Sequence, residues 1–289
     1  MANRTKLLTG AGLAFGSMFS GQLGAAMSVP LMLSEGAFSS TALRLVCAAA
    51  VAYVWARPNF LSFSARQWRS AIALGLVMAF MTMCFFAATT RIPVGAAITI
   101  DFLGPLAVAA LSLKGLRRIA LPLLAAAGVF AMTYSREGLL FDPVGMLLAL
   151  AAALGWGSYI VLMRHVGSLF SEQEGLSVAL IIAALAALPV AIAIEPSSHV
   201  TTQILSVAGL ALLSPLVPFA LEMMALRRMP VGPFSILMSL EPAFGALLGY
   251  MILGQELSER QLAGILAVMI ASIAAVMLSS DAKAREHGA

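Results

Sequence analysis

The stretch Arg91-Ile92-Pro93-Val94-Gly95, whose proline stands twelve residues before Pro105, has a second copy in the chain. That copy is Arg228-Met229-Pro230-Val231-Gly232, and its proline stands twelve residues before Pro242. Each residue of the second copy lies 137 positions after its counterpart, as Pro242 does after Pro105. A weaker pair, Phe15-Gly16-Ser17 and Trp156-Gly157-Ser158, has a nearby offset of 141 positions. Matching segments at one offset indicate two related halves.

The composition is typical of a membrane protein. Hydrophobic residues make up 61% of the 289 positions and charged residues only 10%, well outside the range of soluble domains. The net charge of +4 comes from basic residues scattered between apolar segments, which argues against a nucleic-acid partner. Cys47 and Cys84 both lie within apolar runs, so neither a disulfide nor a metal site is expected.

Ten apolar runs are long enough to cross the hydrocarbon core as helices. They cover residues 7–32, 39–56, 70–89, 93–113, 119–135, 143–163, 175–194, 202–225, 230–253 and 261–279. The first run is longer than the apolar part of a cleavable signal peptide, so we interpret it as a retained helix. The predicted fold is an all-α membrane protein with ten transmembrane helices and a polar, disordered C-terminal tail over residues 281–289.

The basic residues predict the orientation, because Lys and Arg concentrate in cytoplasmic loops. With the N-terminus inside, only Arg91, Arg136 and Arg260 of the 17 basic residues fall in outer loops, and Arg44 falls within the second span. Both termini are therefore predicted to be cytoplasmic. Because each half has an odd number of spans, residues 1–137 and 138–289 are predicted to form two inverted five-helix repeats, the second followed by the polar tail.

Four charged residues lie within predicted spans, where burial is costly and a functional role is the default hypothesis. Asp101 lies in the outer half of its span and Glu241 near mid-depth, while Arg44 lies near the outer end of its span and Glu222 near the cytoplasmic end. A structural ion pair is the alternative for Arg44 and Asp101. For Glu222 the alternative is snorkelling to the surface or a bond to a helix terminus.

Pro105 and Pro242 occupy matching mid-span positions. Each proline removes a backbone donor and clashes with the carbonyl four residues earlier, which in a membrane then needs another partner. Together with Gly104 and Gly245, they are predicted to form a pair of hinges, one in each half. A static packing kink is the alternative.

The same helices carry side chains suited to a cavity between the halves. Hydroxyls, an amide and aromatic faces could hold a small zwitterion with an apolar side chain, although packing or interfacial anchoring is the alternative for each aromatic residue. No catalytic residue, metal ligand or cofactor is predicted. The predicted cavity residues are Ser17, Gln22, Phe85, Phe86, Asp101, Trp156, Tyr159, Ser235, Ser239 and Glu241.

At these residues the chain resembles the drug/metabolite transporter superfamily, whose ten-helix members carry two EamA repeats. Within that superfamily it is most similar to bacterial amino-acid exporters of the threonine/homoserine and aromatic groups. The threonine/homoserine group has a glutamate where this chain has Asp101. The matching pieces are Thr41-Ala42-Leu43-Arg44-Leu45, Pro93-Val94-Gly95, Phe102 with Gly104-Pro105-Leu106-Ala107-Val108, Leu221-Glu222-Met223, and Met238-Ser239 with Glu241-Pro242-Ala243.

The resemblance implies a secondary transporter of the bacterial inner membrane that exports small neutral or aromatic L-amino acids to the periplasm by alternating access. Threonine, homoserine, methionine and aromatic amino acids are the implied substrates. A permease or exporter for another small metabolite, drug or vitamin is the alternative. The implied partners are a small-molecule substrate and the lipid bilayer. A monomer fits the pattern, while the oligomeric state, the coupling ion and the preferred amino acid stay open.

An intramembrane enzyme is the alternative from a different class. His165 and His199 fall in loops and His287 in the tail, so no base accompanies a serine at bilayer depth. The intramembrane acids are predicted at different depths, which disfavours a carboxylate pair for aspartyl catalysis. The sequence also contains no GxxxxGK phosphate-binding loop. The pattern therefore favours a transporter over an enzyme.

Overall fold

The computed structural model describes residues 2–111, 116–135, 138–139, 141–170, 172–195, 209–226, 228–229, 234 and 237–287, and these are almost entirely helical. The first helices are α1 (Ala2–Glu35), α2 (Ala37–Ala56), a 3₁₀ turn (Phe60–Ser62), α3 (Ala65–Thr89), α4 (Val94–Asp101), α5 (Leu103–Leu111) and α6 (Arg117–Thr133). They are followed by α7 (Pro143–Gly167), α8 (Glu172–Ile194), a π-helical turn (Leu212–Leu216), α9 (Val217–Leu226), α10 (Glu241–Leu253) and α11 (Glu259–His287).

The surface of the helices is suited to lipid. Among the described helices, four are long and apolar enough to cross a membrane: Ala37–Ala56, Ala65–Thr89, Pro143–Gly167 and Gln173–Ile194. Large apolar side chains also point outwards; Leu33, Leu154 and Leu185 are 66%, 75% and 65% exposed. Such a surface needs an apolar surrounding, which a bilayer provides. The expected helical membrane protein is therefore confirmed.

Two segments differ from the prediction. The fifth span was predicted as helix to residue 135, but β1 (Tyr134–Ser135) pairs antiparallel with β2 (Gly138–Leu139) as a small hairpin. The tail was predicted to be disordered, but α11 continues to His287. An existing helix extends at little cost because its nucleus is already formed, so polar residues can follow an apolar span without leaving the helix.

The helices pack in pairs that join the first half of the chain to the second. α2 lies along α8, α3 along α7, α1 along the π-helical turn and α9, and α6 along α11. The largest apolar core lies among α2, α3, α7 and α8. Small residues permit these close approaches, because a Cβ on Gly155 would lie 2.6 Å from the Met81 Cβ.

Side chains from distant parts of the chain cap two helix starts. Glu195, at the end of α8, accepts hydrogen bonds from the amides of Phe38 and Ser39 at 3.2 and 2.8 Å, at the start of α2. Gln255, beyond α10, accepts one from the Val94 amide at 3.0 Å, at the start of α4. The first amides of a helix have no partner within it, so these bonds fix the α2–α8 and α4–α10 pairs.

Arg91, the repeat residue in a predicted outer loop, is anchored by Asp142. Its Nη1 lies 3.0 Å from Asp142 Oδ2. Asp142 also caps α7 by accepting hydrogen bonds from the Val144 and Gly145 amides. The hydrogen bond from Arg91, helped by these amides, holds the pKa of Asp142 below its ordinary value. The connection between α3 and α4 is thereby tied to the start of α7.

The fourth and ninth predicted spans are both interrupted, at residues related by the repeat. The fourth divides at Phe102, between α4 and α5, and the ninth turns at Ser239 and Leu240 before α10 begins. Phe102 and Ser239 are 137 positions apart. Pro105 cannot donate to the Asp101 carbonyl, whereas Pro242 lies in the first turn of α10, where proline is tolerated. Pro242 thus begins a helix instead of kinking a continuous one.

The interrupted spans meet at glycines. A Cβ on Gly95 would lie 2.8 Å from the Ala246 Cα, and one on Gly245 would overlap the Ile98 side chain. A Cβ on Gly104 would overlap the Ala153 carbonyl of α7. Gly104 is therefore needed for close helix approach, and Gly245 leaves room for the end of the Ile98 side chain; their predicted role as hinges stays a prediction.

Replacing Gly245 by valine should lower the melting temperature of the detergent-purified protein by several degrees, because overpacking a tight contact costs about 1–3 kcal/mol. Gly12→Val is the matched control, since a Cβ on Gly12 has no atom within 4 Å. Its melting temperature should stay near that of the wild type. An unchanged melting temperature for Gly245→Val, or an equal loss in both variants, would contradict the crossing of α4 and α10.

Candidate functional site

Three acidic side chains from three helices converge inside the bundle. Asp101 ends α4, Glu222 lies in α9 and Glu241 begins α10. The Glu241 carboxyl lies within electrostatic range of both other acids. Asp101 and Glu241 are only 9% and 8% exposed. None of the three forms an ion pair with a basic side chain in the part of the chain that the structure describes. The site therefore concentrates three buried carboxyl groups that no described cation accompanies.

Side chains of α1 and α7 join this group. Ser17 donates a hydrogen bond to Glu222 Oε1 at 2.9 Å and lies 3.2 Å from the Pro218 carbonyl. The Gln22 side chain lies close enough to the Glu241 carboxyl to interact with it. Tyr159 of α7 lies within electrostatic range of Glu222. We call Ser17, Gln22, Asp101, Tyr159, Glu222 and Glu241 the acidic cluster.

Arg44 of α2 is buried beside the π-helical turn, with 1% of its surface exposed. Its Nη2 donates a hydrogen bond to the Ser214 carbonyl, and its Cζ lies 4.1 Å from the centre of the Phe86 ring. In a regular helix the N–H of residue 218 would donate to the Ser214 carbonyl, but Pro218 has no N–H. Arg44 supplies the hydrogen bond to that carbonyl instead. The alternative of an Arg44–Asp101 ion pair is wrong for the described structure.

Most unpartnered buried polar atoms of the described chain lie at these residues. The other three among the described residues are the hydroxyls of Ser40, Ser177 and Ser272. Each buried polar atom without a partner lowers the stability of the folded state by about 1–3 kcal/mol, so folded proteins contain few of them. A group of such atoms therefore needs an explanation. A binding site supplies one, because a ligand provides the missing partners. The unpartnered atoms at this site are Gln22 Oε1, Arg44 Nε, Arg44 Nη1, Asp101 Oδ1 and Glu241 Oε2.

The other predicted cavity residues occupy different places. Phe85 packs edge-on against Phe86, with ring centres 5.2 Å apart, and Trp156 packs edge-on against Phe102 at 5.4 Å. Ser239 is 1% exposed, in the turn that precedes α10. Ser235 lies outside the described residues. The structure therefore brings Tyr159 together with polar residues of the predicted cavity, whereas Phe85 and Trp156 pack against other rings.

The sequence prediction missed the π-helical turn that connects this site to α1. Ser20 donates a hydrogen bond to the Leu213 carbonyl at 2.8 Å, and Gly24 allows the Ser214 side chain to approach α1. A signal was present, because Pro215 and Pro218 remove two backbone donors within one helical turn. Prolines at this spacing predict a distorted helix whose free carbonyls need partners from a neighbouring helix.

A small apolar cleft lies next to Arg44, between α2 and the π-helical turn. Its volume is about 110 Å³. Cys47 and Ala48, which follow Arg44 by one helical turn, form part of its wall. The cleft shares no residue with the predicted cavity. Its lining residues are Cys47, Ala48, Val51, Ala211, Leu212 and Leu216.

Comparison with known proteins agrees with this architecture. Residues 143–277 match the EamA-like transporter family. The threonine/homoserine exporter RhtA of Salmonella typhimurium (strain SL1344) is 31% identical over 264 residues, 90% of this chain and 89% of the relative. RhtA of Escherichia coli (strain K12) is 32% identical over 276 residues, 93% and 92% of the two chains.

A solved structure shows the same fold. In this crystal structure of another protein, the chain is 22% identical in sequence to the present one and superposes on it with a TM-score of 0.61. The match covers 96% of this chain and 98% of that one. Relatives above 30% identity match nearly the whole chain, and the family match covers most of its second half. The chain therefore belongs to the EamA-like transporter family.

Proposed function

We propose that the protein exports threonine and homoserine from the cytoplasm to the periplasm across a bacterial inner membrane. The observation that carries the proposal is the group of unpartnered polar atoms on Gln22, Arg44, Asp101 and Glu241, inside an otherwise apolar bundle. Two relatives named threonine/homoserine exporters support the substrate class. Methionine and the aromatic amino acids belong to the panel that tests it, because the sequence also resembles aromatic amino-acid exporters.

The proposed topology has ten spans in two inverted halves, residues 1–137 and 138–289, with both termini in the cytoplasm. α4 and α5 form one span, and the π-helical turn with α9 forms another. The interruptions at Phe102 and Ser239, separated by the repeat offset, support equivalent fourth and ninth spans. The helix packing supports the same topology. α3 lies on α7, and α9, the counterpart of α3 in the repeat, lies on α1, the counterpart of α7.

The two halves differ in one pair of equivalent contacts. α3 packs along α8, whereas its counterpart, the described part of the π-helical turn with α9, meets α2 at the Arg44–Ser214 hydrogen bond and around the apolar cleft. A transporter built from inverted repeats has unequal contacts of this kind in each access state, because the repeats exchange conformations during transport. This asymmetry supports alternating access.

Polar groups follow one another along α1 towards the centre. Ser17, paired with Glu222, comes five residues before Gln22, which is paired with Glu241, so the two pairs are about 7 Å apart along the helix. Gly24, beside Ser214 and hence Arg44, lies further along the same helix. In the proposed orientation these groups form a path from the cytoplasmic side to the outer half of the membrane.

Counterflow in liposomes tests the substrate. Purified protein is reconstituted with unlabelled threonine inside, and uptake of labelled threonine is followed with and without a pH gradient. We expect transient accumulation of threonine and homoserine well above protein-free liposomes. The panel also contains methionine, the aromatic amino acids and a sugar phosphate as negative control. Folded protein that exchanges neither threonine nor homoserine would contradict the proposal, and the effect of the pH gradient identifies proton coupling.

The interrupted helices are proposed to bend during transport. Alanine at Pro105 restores a donor for the Asp101 carbonyl, and alanine at Pro242 allows α10 to extend backwards through the turn at Ser239. Because the halves are inverted, Pro105→Ala and Pro242→Ala should favour opposite access states, since small differential energies shift such an equilibrium. We expect the ratio of inside to outside labelling of a reporter thiol at Ser17 to change in opposite directions, by about threefold or more.

The control for these variants is Pro189→Ala, which changes a proline inside α8 away from the crossing. It should leave the labelling ratio unchanged. Ratios that stay at the wild-type value in both test variants would show that the interruptions are static.

A further inference from the structure

We propose that the site recognises the zwitterionic head of an α-amino acid, with Arg44 binding the carboxylate and Gln22, Asp101 and Glu241 binding the ammonium group. The inference rests on the proposed function and assigns each end of the substrate to named residues. It starts from the unpartnered atoms, which divide by chemistry into two sets. Gln22, Asp101 and Glu241 each contribute an oxygen acceptor, and Arg44 contributes two nitrogen donors.

The acceptor set matches an ammonium group. A primary ammonium carries three N–H donors and no acceptor. The unpartnered acceptors Gln22 Oε1, Asp101 Oδ1 and Glu241 Oε2 belong to three different helices, α1, α4 and α10. Gln22 and Asp101 both lie within interaction range of the Glu241 carboxyl, so the three groups lie near one another. Two carboxyls in a buried site favour a positively charged partner.

The donor set matches a carboxylate. An arginine side chain has donors only, and it stays charged inside a protein. Arg44 uses Nη2 on the Ser214 carbonyl and a face of its guanidinium on Phe86, which leaves Nε and Nη1 for an anion. Within the described residues no carboxylate side chain fills that role. A substrate carboxylate, which has only acceptors, does.

Two helices independently place the donor and acceptor sets at nearly the same depth. On α1, Gln22 belongs to the acceptor set, while Gly24 lies beside Ser214, the partner of Arg44. On α3, Cys84 is in electrostatic range of Asp101, while Phe86 stacks on Arg44. Each pair is two residues apart, or about 3 Å along a helix axis. In the proposed topology both helices run outwards, so the carboxylate end lies slightly closer to the periplasm.

The test measures competition for threonine counterflow by two analogues of threonine. L-Threoninamide lacks the carboxylate, and 3-hydroxybutanoate lacks the amino group. Because a hydrogen bond to a charged group is strong, each loss should weaken competition by wild-type protein about tenfold or more. In Arg44→Gln the preference for threonine over threoninamide should disappear, while the preference over 3-hydroxybutanoate remains. Asp101→Asn combined with Glu241→Gln should give the reverse pattern.

Each result is a ratio within one variant, so it does not depend on the amount of folded protein. Arg44→Lys should keep part of the carboxylate preference, because the charge is retained. The matched control is Thr41→Val, one turn before Arg44 on α2, whose hydroxyl is bonded to the Ala37 carbonyl. It should keep both preferences. Wild-type protein that accepts threoninamide as well as threonine, or Arg44→Gln with its preference intact, would overturn the assignment.

A second measurement on the same purified protein distinguishes failure of the zwitterion assignment from failure of the proposed function. Thermal stabilisation in detergent is measured with each of the twenty amino acids and with its amide. Absence of threonine counterflow contradicts the proposed function. If some other amino acid then stabilises the protein more than its amide does, and Arg44→Gln removes that difference, the zwitterion assignment stands. If no amino acid stabilises the protein more than its amide, the assignment is overturned.

Discussion

A polar group buried in the hydrocarbon core of a bilayer needs a hydrogen-bond partner within the protein, and each one without a partner costs several kcal/mol. The helix contacts of this chain follow from that requirement. Pro215 and Pro218 free carbonyls in the eighth span, and Ser17, Ser20 and Arg44 approach the carbonyls of that distorted segment. α1, α2 and the π-helical turn are thereby held together.

Because an unpartnered buried polar atom is costly, the few such atoms in the described chain indicate a functional site. Asp101 and Glu241 belong to the two interrupted helices, Gln22 of α1 lies near Glu241, and Arg44 lies beside the π-helical turn. The crossing itself depends on Gly95 and Gly245, which bring α4 and α10 into close contact. Packing of small residues therefore positions the charges, and the charges give the otherwise apolar bundle its chemical specificity.

The sequence predicted the helical membrane fold and most helix positions, because apolar length and basic-residue bias are local properties of a chain. It also located the charged residues within the predicted spans, since charges are rare there. It could not predict their partners. Ser17 and Glu222, or Glu195 and Ser39, are more than 150 positions apart, and no local pattern relates them. The position of Pro242 at a helix start was missed because a proline looks the same in a kink and in a first turn.

The repeat also shows that equivalent positions in the two halves carry different residues at the site. At the offset of 137, Gly104 corresponds to Glu241, and Asp101 corresponds to Met238. Gly104 fits α5 tightly against α7, whereas Glu241 turns towards Gln22 of α1. Equivalent positions thus serve packing in one half and charge in the other. In the proposed mechanism the two-fold scaffold rocks about its centre while its polar groups face a single asymmetric substrate.

The most direct measurement is the reactivity of a single thiol at Ser239, in protein from which Cys47 and Cys84 have been removed. Ser239 is 1% exposed and lies in the turn before α10. A water-accessible site predicts that a small hydrophilic reagent modifies this thiol and that threonine slows the modification. A thiol at Ser272, equally buried in α11, should not react. An unreactive thiol at Ser239, or one that threonine does not protect, would contradict a substrate site at the crossing of α4 and α10.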